Sequence, residues 1–227
     1  MVHKNRNLAG LPHVHAPVLR TGAPLDTADL VVVLLHGRGA SAENILELSS
    51  DISPEGPDGN RIAWFAPQAD DSQWYPYSFR QPVAQNEPWL SGALAVIDRL
   101  VDDVRAGNPE LPVVVAGFSQ GACLSLEYGA RGSRPISGVA AFSGGLIGSS
   151  FTDRQPVSDL EGRWVFIGCG DQDHHIPIDV AEMSATLLAV AGADVDMRRY
   201  PGMPHTIVAD ELEAVRALIA STLAAPD

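Results

Sequence analysis

From residue 30 onward the chain alternates short, uninterrupted apolar runs with stretches whose apolar residues recur at helical spacing, and few architectures accept that alternation. The runs at 30–35, 62–66, 111–116, 138–142 and 164–168 contain no polar side chain. An apolar run without alternation reads as a strand buried on both faces, as in a parallel sheet. The stretches at 90–105, 120–131, 179–191 and 210–223 read as helices, the first and last with the clearest apolar stripe, and 195–200 reads as one more strand at an edge. Strands alternating with helices of this length predict an α/β fold, a mostly parallel central sheet with helices on both faces. Functional residues in such a sheet gather beyond the carboxyl ends of the strands.

Residues 1–27 are polar and proline-spotted with no persistent period, which predicts an arm or an edge strand ahead of a single α/β domain over 28–227. His3, His13 and His15 are scattered through the arm. With no carboxylate or cysteine beside them, His13 and His15 read as solvated histidines rather than a metal site. Cys123 and Cys169 are too few for a disulfide framework and read as reduced, buried thiols. A net charge of -13 argues against nucleic acid and against stable membrane association, because both partners are anionic. No apolar run approaches the roughly 20 residues that span a bilayer, and the first ten residues hold no apolar signal segment. These features point to a cytoplasmic protein acting on a small neutral or cationic molecule.

The strand expected to end at Ala116 runs straight into Gly117-Phe118-Ser119-Gln120-Gly121, and a helical run follows. The pentapeptide alone arises by chance in about one chain in ten of this length. A strand before it and a helix after it make chance much rarer. The glycines suit a turn so sharp that its serine sits at a strained backbone angle, and the helix start favours developing negative charge. Ala141-Phe142-Ser143-Gly144-Gly145 also follows a strand, but no helical period comes after it, so Ser143 reads as a strand end near the site.

A serine hydroxyl needs a base, and histidine suits because its ordinary pKa of about 6.5 lies near working pH. The chain order of a strand-to-helix elbow, serine then acid then histidine, excludes His36 and the N-terminal histidines. His205 lies in a loop between a strand and a helix, where it can reach over the sheet edge. His174 and His175 abut the acids and read as poor bases that can still line a pocket. Asp171 and Asp173 both follow the strand at 164–168, and spacing does not choose between them. The oxyanion needs backbone donors, for which the loop after Leu35 and the Gln120 N–H are placed. His36 reads as holding that loop.

With these landmarks, Leu35-His36-Gly37-Arg38-Gly39, the Ser119 turn, Gly170-Asp171-Gln172-Asp173 with Ile176-Pro177, and Tyr200-Pro201-Gly202-Met203-Pro204-His205, the chain resembles the phospholipase/carboxylesterase family of small α/β-hydrolases. The resemblance runs from about residue 30 to the end. It implies an α/β-hydrolase fold without a large cap domain and makes Asp173 the acid and Asp171 structural. It also maps the oxyanion donors onto the backbone of Arg38 and Gln120. The first of these is usually nonpolar in the family, and an arginine there bears on leaving-group preference. Some relatives form dimers, so a homodimer is one assembly the resemblance allows.

Between Gln68 and Leu90 the aromatics Trp74, Tyr75, Tyr77, Phe79 and Trp89 crowd among prolines. Trp74, Tyr75, Tyr77 and Trp89, with Ile176, are the candidate pocket residues, Trp74 and Tyr75 foremost. The stretch 145–162 is too short for a cap, which predicts an open groove. The expected activity is hydrolysis of carboxylic esters of short to medium acyl chain through an acyl-enzyme, with Ser119, His205 and Asp173 as the triad and no metal or cofactor. The alternatives are a lysophospholipase or acyl-protein thioesterase acting by the same chemistry, or a noncatalytic binding module, against which the retained triad argues.

Overall fold

The five runs without polar side chains all become strands buried on both faces along nearly their whole length. The computed structural model describes residues 10–150 and 159–225. Seven strands, β1 (Val18–Gly22), β2 (Leu30–Leu35), β3 (Ile62–Pro67), β4 (Val113–Phe118), β5 (Gly138–Phe142), β6 (Trp164–Gly170) and β7 (Asp194–Tyr200), form one sheet in the order β1-β3-β2-β4-β5-β6-β7. Among the described residues only β1, at one edge, runs antiparallel to its neighbour, and the other pairings are parallel. Among the described residues six α-helices accompany it: α1 (Ala42–Leu46), α2 (Leu48–Ile52), α3 (Trp89–Gly107), α4 (Gln120–Arg131), α5 (Ile178–Val190) and α6 (Ala209–Ala224).

Period-two geometry divides each strand between two cores. Val31, Val33 and Leu35 of β2 pack with α3, α4 and α5, while Leu30, Val32 and Leu34 pack with α1, α2 and α6. Each such fully buried side chain contributes about 1.5–3 kcal/mol of apolar burial. Because β2, β4, β6 and β7 are parallel, the loops leaving Leu35, Phe118, Gly170 and Tyr200 emerge at one rim of the sheet.

β4 lies two residues later than the sequence suggests. The Leu111 N–H closes a turn onto the Asn108 carbonyl at 3.3 Å. The strand instead continues through Gly117 and Phe118, opposite Leu35 and Phe142. α1 and α2, at five residues each, are too short to show a period. Residues 1–9 of the arm, including His3, and 151–158 of the stretch expected to lack a cap lie outside the described residues. Among the described residues no helix is long and apolar enough to cross a membrane.

Candidate active site

β4 and α4 meet at Ser119, which stands at φ 57° and ψ −117°. A left-handed φ on a residue with a Cβ costs about 1–3 kcal/mol and persists only where the surroundings enforce it. They do so here by close approach. A Cβ on Gly121 would stand 2.0 Å from the Leu35 carbonyl oxygen, and one on Gly117 2.5 Å from the Gly121 carbonyl carbon. The Ser119 N–H donates to the Phe142 carbonyl at 3.0 Å, and its own carbonyl accepts from Cys123 N–H, opening α4. Ser143 has a similar φ of 55°, but it is fully buried, does not border the cavity that Ser119 borders and, among the described residues, does not open a helix.

The loops after β6 and β7 are zipped together. Gln172 N–H donates to the Met203 carbonyl, and Asp171 takes the Gly202 N–H at 2.7 Å on one oxygen and Arg199 at 3.2 Å on the other. Asp171 therefore braces the loop that carries His205. Asp173 reaches the imidazole itself, with His205 Nδ1 2.6 Å from Asp173 Oδ2. Its Oδ1 accepts the His175 and Ile176 N–H groups at 2.8 and 2.9 Å. Burial alone would raise the Asp173 carboxyl. The His205 ring and the two N–H donors outweigh it and hold the group below its ordinary value, so it stays ionised.

The His205 ring lies between Phe118, 4.7 Å away between centroids, and His175, 4.8 Å away. With Nδ1 committed to Asp173, Nε2 is the nitrogen left to serve as base. Among the described residues no hydrogen bond joins Ser119 Oγ to His205. Both border the same cavity, and catalytic pairs commonly close this bond only with substrate in place. Neither the Arg38 nor the Gln120 backbone N–H has a hydrogen-bond partner among the described residues, as expected for Gln120 at the start of a helix. Among those residues no group of three or more His, Cys, Asp or Glu side chains is placed to hold a metal ion.

The cavity measures about 410 Å³. Of the candidate pocket residues, Tyr75 and Ile176 border it, and Trp74, Tyr77 and Trp89 do not. Trp74 is fully buried, its indole N–H donating to the His36 carbonyl at 2.9 Å, so it anchors the aromatic loop from beneath. Tyr77 and Trp89 are exposed elsewhere. Ser78, Phe79, Phe118 and Cys123 border the cavity as well. Three of these have a sequence signal: Phe79 belongs to the aromatic crowd, Phe118 is the second residue of the elbow, and Cys123 lies one turn after Ser119 on the same face of α4. Burial pushes the Cys123 thiol up to about 12, so it is an uncharged wall and not a rival nucleophile.

His13 departs from the solvated reading. It is buried, accepts the Asp70 N–H on Nδ1 at 3.0 Å and donates from Nε2 to the Trp74 carbonyl at 3.1 Å. His36 accepts the Ala69 N–H on Nε2 at 3.1 Å and donates from Nδ1 to the Gly37 carbonyl at 2.8 Å. Each thus pins the aromatic loop in its neutral form, and burial lowers both below the ordinary value of 6.5. A histidine whose folded value is depressed contributes stability that is full above the unfolded pKa and is lost as pH falls through the folded one. The melting temperature is expected to drop between about pH 7 and pH 5, and His13→Asn to make that profile shallower. Thermal melts at matched ionic strength check this; an unchanged slope in His13→Asn contradicts it.

Residues 18–223 match the family model described as phospholipase/carboxylesterase. A phospholipase/carboxylesterase from Dyadobacter fermentans is 39% identical, with a TM-score of 0.81 over 90% of this chain and 96% of that one. Esterase PE8 is 26% identical, with a TM-score of 0.70 over 91% of this chain and 98% of that one. Acyl-protein thioesterase 1 of Gibberella zeae is 34% identical over 113 residues, 49% of this chain and 48% of that relative. The chain spans about half the length of that curated relative. A match that runs through the Ser119 turn, the Asp173 loop and the His205 loop alike makes this chain a member of the phospholipase/carboxylesterase family, built on the α/β-hydrolase fold.

Proposed function

We propose that residues 28–227 form one catalytic domain that hydrolyses carboxylic esters of short to medium acyl chain through a serine-bound acyl-enzyme. The observation that carries this reading is the 2.6 Å contact of His205 Nδ1 with Asp173, on the same cavity as a serine held in a strained strand-to-helix turn. Ser119 Oγ attacks the ester carbonyl while His205 Nε2 takes its proton, and the carbonyl oxygen becomes an oxyanion between the Arg38 and Gln120 N–H groups. Collapse expels the alcohol, which receives the proton from His205. Water, deprotonated by the same imidazole, then releases the acid and restores the serine. The reaction needs a small ester and water and no cofactor. A cytoplasmic location suits the two buried, unbridged cysteines.

Tyr75, Phe79 and Cys123 wall the inner cavity with buried side chains, which supports a limit on acyl length. Across p-nitrophenyl esters, kcat/KM is expected to peak between butyrate and octanoate and to fall about tenfold or more at palmitate. A steady rise out to palmitate contradicts the limit. The same residues would open a thioester, a substrate supported by the likeness to acyl-protein thioesterase 1 of Gibberella zeae. Palmitoyl thioester and lysophosphatidylcholine belong in the panel for that reason.

A further inference from the structure

The Arg38 N–H shares a peptide unit with the Gly37 carbonyl, which accepts the Ala40 N–H at 3.1 Å and His36 Nδ1 at 2.8 Å, and the Gly39 N–H donates to the Ser72 carbonyl at 2.8 Å. The Arg38 side chain adds a second constraint, tying that segment to the aromatic loop. Nη1 donates to Gln73 Oε1 at 2.6 Å and to the Pro76 carbonyl at 3.0 Å. Nη2 donates to the Tyr75 and Tyr77 carbonyls at 2.8 and 3.0 Å. The four terminal N–H groups of the guanidinium are thereby spent on one loop, leaving only Nε–H for anything else. Although Arg38 borders the cavity, it is poorly placed to receive an anionic substrate group.

Gln120 grips the same loop. Its Oε1 accepts the Trp74 N–H at 2.9 Å and its Nε2 donates to the Tyr75 carbonyl at 2.9 Å. The Tyr75 carbonyl oxygen therefore accepts from both residues and uses both of its lone pairs. We propose that the Arg38 side chain is a positioning residue, which holds the two oxyanion donors in register by cross-linking Arg38 to Gln120 through the Tyr75 carbonyl. This rests on the esterase reading above. Donors fixed before reaction favour the tetrahedral state over the bound ester, so the clamp acts on kcat and leaves KM alone. Lysine keeps the charge, but its single ammonium does not span four acceptors.

The test measures kcat and KM with p-nitrophenyl butyrate for the full chain and for Arg38→Lys, Arg38→Met, Gln120→Ala and the Arg38→Met/Gln120→Ala double variant. Hydrogen exchange over residues 72–77 is followed in parallel. Each Arg38 variant is expected to lose about 30-fold in kcat with KM within about twofold of wild type. The double variant should fall no more than about threefold below the worse single one, since both act through one carbonyl. Exchange over 72–77 should quicken about tenfold in Arg38→Met. Wild-type kcat in Arg38→Lys, a raised KM with kcat intact, or unaltered exchange overturns the clamp. A wild-type chain inert toward every ester overturns the esterase reading instead, and the exchange arm then still decides whether Arg38 holds the loop.

Discussion

Ser119→Ala is expected to lower kcat/KM toward p-nitrophenyl butyrate by on the order of 10⁵-fold, with a melting temperature within about 2 °C of wild type. The two halves of that expectation have separate causes. The Ser119 hydroxyl makes no hydrogen bond among the described residues, and alanine meets the same backbone strain at φ 57°, so the fold loses almost nothing. On the proposed mechanism the reaction loses the atom that attacks, and neither Cys123, held as a thiol by burial, nor the buried Ser143 is placed to replace it. Steady-state kinetics and a thermal melt on one preparation check both halves. Activity within about tenfold of wild type would move the nucleophile elsewhere.

Asp173→Asn is expected to cost about 10³–10⁴-fold in kcat while the loop stays in place. Asn Oδ1 can still accept the His175 and Ile176 N–H groups, so the backbone of the acid loop keeps its acceptor. The change falls on the other side, where an amide N–H2 would face His205 Nδ1 in place of a carboxylate oxygen. The imidazole would then carry its proton on Nε2, the nitrogen that the proposed mechanism needs free as base. Asp171→Asn is the contrasting variant, since that carboxylate touches Gly202 and Arg199 and not the imidazole. Its expected loss is small beside that of Asp173→Asn. Equal losses from the two variants would contradict the assignment of the acid.

The strands were legible because burial on both faces leaves no polar residue in β2 or β3, and that pattern is local. The Ser119 turn was legible for a similar reason, since its two glycines answer to contacts within one strand–turn–helix unit and the end of β2. The aromatic loop was not. Whether Trp74 lines a cavity or anchors the loop depends on its partner His36, 38 residues away, and on His13 beneath it. Composition at 68–90 carries no trace of either. The burial of His13 was hidden likewise, because its partners Asp70 and Trp74 lie 57 and 61 residues along the chain. Arg38 stood out only as a departure from the usual nonpolar residue, and its work became visible with the carbonyls it meets.

Intact-mass and peptide analysis after reaction with a fluorophosphonate tests the central claim most directly, because the reagent phosphonylates only an activated serine and does not depend on knowing the natural substrate. One adduct per chain is expected, on Ser119, absent from Ser119→Ala and retained in Ser143→Ala. An adduct that survives Ser119→Ala and disappears in Ser143→Ala, or a chain that takes up no reagent at all, would contradict it.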